Sequence, residues 1–100
     1  MKFRYKKPYL KQFDRFARHE KELIIEADRQ IRNYYVTSAA PYGLRIKKLY
    51  DDGRNKIFEA RVSDKIRSLW VESEGLVSFA ILAIMMMLEI SLKTLNSVPS

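Results

Sequence analysis

Two arginines that strand pairing would set side by side are the residues of this chain best suited to chemistry. The segment Ile57-Phe58-Glu59-Ala60-Arg61-Val62, the loop Ser63-Asp64-Lys65 and the segment Ile66-Arg67-Ser68-Leu69-Trp70-Val71 read as strand, tight turn and strand. In that register Val62 pairs with Ile66, Arg61 with Arg67, and Phe58 with Trp70. Side chains alternate across a strand, so one face carries Phe58, Ala60, Val62, Ile66, Ser68 and Trp70, with a small residue opposite a small one. The other face carries Glu59, Arg61 and Arg67. Like charges directly opposite on a sheet are unfavourable, so the pair needs a reason. A bound anion is one, because the planar fork of arginine suits phosphate oxygens. Neutralisation by Glu59 on a solvated face is the other, and local pairing alone leaves both open.

The elements that must hold this hairpin can be read along the chain. Phe3-Arg4-Tyr5 alternates apolar and basic residues, as a short first strand would. Pro8 suits a helix start, and Leu10, Phe13, Phe16 and Ala17 recur at helical spacing. Leu23, Ile24, Ala27, Ile31, Tyr34 and Tyr35 form one apolar stripe over a second helix from Glu20 to Tyr35, and the two helices are expected to run antiparallel. Leu44-Arg45-Ile46-Lys47-Lys48-Leu49 reads as a strand, and Asp51-Asp52-Gly53-Arg54-Asn55 as the turn that closes it onto the next. Ser73-Glu74-Gly75 is another turn, and Leu76 to Leu82 is apolar almost throughout, like a central strand. Helices followed by strands predict an α+β domain: an N-terminal helix pair packed on a four-stranded antiparallel meander sheet, with a short N-terminal strand.

One hundred residues, 47% of them hydrophobic and 31% charged, make one small globular domain over 1–100. There is no cysteine, which excludes disulfides and thiolate metal sites and fits a cytoplasmic location, and the single histidine, His19, excludes a histidine-cluster metal site. No apolar stretch follows the N-terminal lysines as in a signal peptide, and the uncharged run Leu76–Leu88 is too short to span a membrane. The net charge of +7 points to an acidic partner. Arg4, Lys6, Lys7 and Lys11 cluster at the start, and Arg45, Lys47, Lys48, Arg54, Lys56, Arg61, Lys65 and Arg67 crowd the middle. Tyr42 and Tyr50 stand near these cations, where either a stacked base or ordinary packing would use them.

The order of elements, with Leu44–Leu49, Ile57–Val62 and Ile66–Val71 as its signature, resembles the RelE/ParE superfamily of toxins from toxin–antitoxin systems over about Pro8 to Leu82. The likeness is nearest to the cytotoxic translational repressors of that superfamily. It implies an mRNA endoribonuclease that acts on the ribosome without metal or cofactor, the RNA's own 2′-hydroxyl attacking the adjacent phosphate. Arg67 matches the arginine that opens the return strand, and Arg61 the basic residue across from it; both would stabilise charge on the phosphorane-like transition state. Arg45, Lys47 and Lys48 match the basic second strand as RNA-binding residues, with Lys65 in the adjoining turn. Glu59 is the candidate general base, with a salt bridge to the arginines as its plainer role. The partners implied are a cognate antitoxin and mRNA on the ribosome.

The C-terminus departs from that pattern. Relatives carry a short polar segment of the form Gly-Asn-His-Asp-Asp/Glu after the last strand, whose histidine serves proton transfer. Here residues 83–100 form an atypical tail that begins Ala83-Ile84-Met85-Met86-Met87-Leu88. A codon string for Gly-Asn-His-Asp-Asp-Val, read one nucleotide later, encodes Ala-Ile-Met-Met-Met followed by a codon that can be Leu, so a shifted reading frame accounts for the tail. The alternative is a native apolar C-terminal helix that packs on the sheet or on an oligomer partner. The shifted tail would leave the fold and the basic groove intact but remove a proton-transfer group, so weak or absent cleavage is expected. Two further readings stay open beside the endoribonuclease: a ParE-like inhibitor of DNA gyrase, and a noncatalytic basic module that binds RNA through its phosphates.

Overall fold

The computed structural model describes residues 1–84; the methionine-rich segment and the rest of the tail lie outside the described residues. Strand β1 (Lys2–Tyr5) leads into helices α1 (Lys7–Arg15) and α2 (Arg18–Thr37). A 3-10 turn at Tyr42–Leu44 precedes β2 (Lys47–Asp51), β3 (Asn55–Arg61), β4 (Ile66–Ser73) and β5 (Leu76–Ile84). The strands form one sheet in the order β1-β5-β4-β3-β2. Strands β2 to β5 are the expected antiparallel meander, and β1 joins it as a fifth strand, parallel to β5.

The expected helix pair is present with adjusted ends. Pro8 stands in the first turn of α1, but the residue that helix buries is Tyr9, while Leu10 is 47% exposed. Phe16 and Ala17 belong to the junction between the helices rather than to an α1 stripe: Phe16 is the C-cap of α1 and Ala17 the N-cap of α2. Glu20 closes that junction by accepting the Ala17 amide at 3.2 Å, the glutamate half of a capping box. Along α2 the stripe buries Ile24, Ala27 and Ile31, one turn apart. The antiparallel course shows in the contacts, since Tyr5 before α1 reaches Asp28 well along α2, whereas Phe13 near the end of α1 lies under Lys21 near the start of α2.

The core lies between this pair and the face of the sheet that carries Ala60, Ile66, Ser68 and Trp70, all four at 2% exposure or less. Small Ala60 opposite small Ser68 leaves room for large rings on either side. Phe58 stacks on Trp70 with centroids 5.7 Å apart, Trp70 meets Phe79 at 6.2 Å, and Tyr5 stacks on Phe79 at 5.0 Å. The indole N–H of Trp70 donates to the Tyr35 hydroxyl at 2.7 Å, which donates in turn to Glu72 at 2.9 Å. Helix and sheet are thus pinned by a polar chain as well as by apolar contact.

Two turns depend on backbone that side chains disfavour. Glu74 and Gly75 both have positive φ (50° and 78°), the pairing a two-residue hairpin turn with the right twist needs. Gly53 (φ 90°) plays the same part between β2 and β3, where Asp51 accepts the Gly53 amide and Asp52 accepts those of Arg54 and Asn55.

The second strand departs from its expected span of Leu44–Leu49. Leu44, 3% exposed, is drawn into the core by the 3-10 turn, and Arg45 follows in the left-handed region (φ 45°). Extended pairing cannot begin until the chain has recovered from that bend, so β2 starts at Lys47.

Asp28 yields a pH-dependent stability. Its carboxylate accepts the Tyr5 hydroxyl at 2.8 Å and lies 3.1 Å from the guanidinium of Arg32. Burial nevertheless dominates and raises its pKa above the ordinary carboxylate value, and burial together with Asp28 pushes Tyr5 up to about 12. The folded protein therefore holds the Asp28 proton more tightly than the unfolded chain does. Stability contributed by Asp28 is full below its ordinary pKa of ~4 and is lost as pH rises through the higher folded value. Urea midpoints measured over that window are expected to fall for the native chain relative to Asp28→Asn; parallel curves would refute the assignment.

Candidate functional site

The hairpin that carries the arginines has the register read from its residues: Arg61 pairs with Arg67, Ala60 with Ser68 and Phe58 with Trp70. Its turn is held locally. The Val62 amide donates to the Ile66 carbonyl at 3.0 Å, and the Ser63 hydroxyl oxygen accepts the Lys65 and Ile66 amides at 3.3 and 3.2 Å. With the inner face filled by Ala60 and Ser68, strand alternation sends both arginine stems to the opposite face, although Arg61, at the end of β3, also borders the cleft against α2 beside Glu26 and Gln30. There Arg61, Arg67, Arg45, Lys47 and Glu59 line a common depression of about 130 Å³. Four cations against one carboxylate is a composition that favours an anion.

The two arginines are held differently. Arg67 uses one terminal nitrogen, Nη1, for all its hydrogen bonds, donating to the carbonyls of Ser63 (2.6 Å), Ile66 (3.2 Å) and Asp64 (3.4 Å). Its Nε and its other terminal nitrogen have no partner among the described residues, so a half-buried, oriented guanidinium keeps donors free. Arg61 instead pairs with Asp64 in the turn. Glu59 makes no ion pair among the described residues, so the expectation that it neutralises the arginines is corrected: the local carboxylate is Asp64, three residues from Arg61. The only advance sign of that pairing was an acid in the loop between two arginines.

Asp64 is 86% exposed, and an ion pair so placed contributes on the order of 1 kcal/mol or less. It acts as a weak competitor for the anion that Arg61 would otherwise hold. Asp64→Asn is expected to tighten binding of inorganic phosphate or an RNA backbone by about two- to fivefold. An unchanged phosphate affinity by calorimetry would exclude that competition.

The remaining expected RNA contacts divide. Lys47 stands opposite Glu59 in the depression, and Arg45 sits at its rim. Lys48, next along β2, stands opposite Phe58 and so belongs to the other face, where it pairs with Asp51 at 2.9 Å. Lys65 is exposed in the turn and does not line the depression. Tyr50 is half exposed and donates to Asp52, whereas Tyr42 is 88% exposed beneath the Arg45 guanidinium. No group of three His, Cys, Asp or Glu residues is placed to hold a metal ion among the described residues, and no described helix is long and apolar enough to cross a membrane.

No family model matches the chain, and no curated protein does. Solved structures do. A chain of the archaeal RelE–RelB complex from Pyrococcus horikoshii OT3 superposes with a TM-score of 0.65 at 14% identity, over 83% of this chain and 92% of that one. The YoeB/ParE toxin from Agrobacterium tumefaciens gives 0.59 at 18% identity, over 84% and 98%. A chain of the E. coli DinJ–YafQ complex gives 0.55 at 14% identity, over 86% and 94%. Coverage is nearly complete on both sides, so the likeness is to a whole domain and not to a shared hairpin. By its architecture this chain has the fold of the RelE/ParE-like toxins.

Proposed function

We propose that this protein is the toxin of a type II toxin–antitoxin system, a RelE-like endoribonuclease that cuts mRNA on the ribosome in the cytoplasm. The observation that carries the reading is the Arg61/Arg67 pair on the open face of the sheet, with donors of Arg67 unspent and Arg45 and Lys47 beside it. A fold shared with RelE, YoeB/ParE and YafQ structures supports it.

In this reading the 2′-oxygen of one ribose attacks the adjacent phosphorus and the bond to the 5′-oxygen of the next nucleotide breaks. Arg67 and Arg61 stabilise the charge that builds on the non-bridging oxygens, and they are worth most in the transition state, where that charge is greatest. Glu59, on the same face, takes the proton of the 2′-hydroxyl. The leaving 5′-oxygen must also gain a proton, and here the chain has Met85-Met86-Met87 where the resembled segment carries histidine. Solvent water supplies that proton in its place, and slow turnover follows. Arg45 and Lys47 hold flanking phosphates by charge.

A partner protein belongs to the same proposal. Two of the similar structures are complexes, RelE with RelB and YafQ with DinJ, and this chain would likewise bind a cognate antitoxin, which would hold it inactive. Expression without a partner is the test. Translation arrest with mapped mRNA cuts, both lost in Arg67→Ala, supports the reading. Arrest with DNA-damage signalling and intact mRNA would replace it with gyrase inhibition. RNA binding with neither arrest nor cuts would reduce it to a noncatalytic module.

A further inference from the structure

A second basic site lies round the edge of the sheet from the arginine pair, on the face that the helices share. It is an open groove of about 460 Å³ whose lining includes Tyr34, Tyr42 and Phe58 together with Arg45, Lys48 and Lys56. Its volume is in the range of small-ligand sites. No carboxylate lines it. Lys48 pairs with Asp51, which also stands opposite Lys56 across the strand pair, whereas Arg45 has no acid within ion-pair distance among the described residues.

Tyr42 is the informative member. It is 88% exposed and outside the buried core, and the Arg45 guanidinium lies over its ring, 5.9 Å from the centroid. The 3-10 turn that buries Leu44 is what lifts Tyr42 outward. The left-handed backbone at Arg45 then swings the chain from the groove into the edge strand. Arg45 consequently lines both the groove and the arginine depression. Exposed aromatic faces interleaved with cations are what single-stranded nucleic acid requires, because every base offers a face to stack and every linkage a charge to hold.

We infer that this groove takes a second nucleotide of the RNA strand whose phosphate lies between Arg61 and Arg67. The strand bends round the start of β2 at Arg45, its base stacks on Tyr42, and its phosphate is held by Lys56 and Arg45. The inference rests on the proposed RNA-binding reading and adds to it a subsite for a flanking nucleotide.

The test is anisotropy titration of a fully 2′-O-methylated hexanucleotide, which binds but cannot be cleaved, against the full chain and its variants. Tyr42→Ala is expected to weaken binding about tenfold, the effect of losing one stacked base, and Tyr42→Phe to restore it. Lys56→Gln is expected to lower the salt slope by about 0.7, the share of one phosphate contact on a single strand. Tyr42 is exposed, so melting temperatures should not move. If Arg67→Ala weakens binding while Tyr42→Ala and Lys56→Gln do not, the subsite is overturned and the arginine cradle stands. If none of the three variants affects binding, both fall. If a polyglutamate peptide competes as well as the hexanucleotide, the groove serves an acidic protein, and its assignment to RNA is wrong.

Discussion

Arg67→Ala is expected to slow RNA cleavage by about 10²–10³-fold with little change in thermal stability, because what is lost is a donor that matters most once charge has built on the phosphate. The magnitude follows from the way Arg67 is held. Three backbone carbonyls fix one of its nitrogens, so the remaining donors meet the phosphate already oriented. Arg67→Lys keeps the charge but not the fork, and should recover only a small part of the rate. Arg61→Ala should cost less, since Asp64 already occupies that guanidinium. Single-turnover rates on a short RNA, with melting curves as control, distinguish these outcomes. A rate for Arg67→Ala equal to that of the native chain would remove the arginine from the chemistry.

Trp70→Ala is expected to destabilise the domain by about 3–5 kcal/mol, a large fraction of the ~5–15 kcal/mol that holds a small domain together. Trp70 is fully buried, stacks on Phe58, meets Phe79, and donates to Tyr35. Removing the indole opens a cavity between sheet and helices and leaves the Tyr35 hydroxyl without its donor. Trp70→Phe keeps much of the packing and loses the hydrogen bond, so about 1–2 kcal/mol is expected. Urea denaturation of the three proteins checks the order. Equal stabilities for Trp70→Ala and the native chain would mean that the sheet is not held to α2 in this way.

The hairpin was legible because its pattern is local. A three-residue loop between two alternating segments leaves one register that buries Phe58, Ala60, Ser68 and Trp70 together, and that register also sets Arg61 against Arg67. The second helix was legible for the same reason, through a stripe that runs one turn at a time. What could not be read was set by tertiary competition. Leu44 gains more from the core than from an edge strand, so the second strand begins three residues late, and Arg45 turns away from the ladder. Tyr9 rather than Leu10 faces inward, because β1 and Phe79 supply rings on that side. Within the site, strand alternation separates Lys47 from Lys48, a split that a run of basic residues does not announce. Asp64 was visible as a turn residue, but its hold on Arg61 depends on where the turn aims its carboxylate.

Binding of an uncleavable RNA to Arg61→Ala, Arg67→Ala and the double variant tests most directly whether the paired guanidiniums grip one phosphate. Arg67→Ala is expected to weaken the native affinity about tenfold and Arg61→Ala by less, since Asp64 competes for that guanidinium, and the two together by clearly less than the product, with a coupling of at least ~0.5 kcal/mol, as for two groups on one ligand atom cluster. Affinities unchanged by either substitution, or losses that simply multiply, would show that the facing arginines do not share a phosphate.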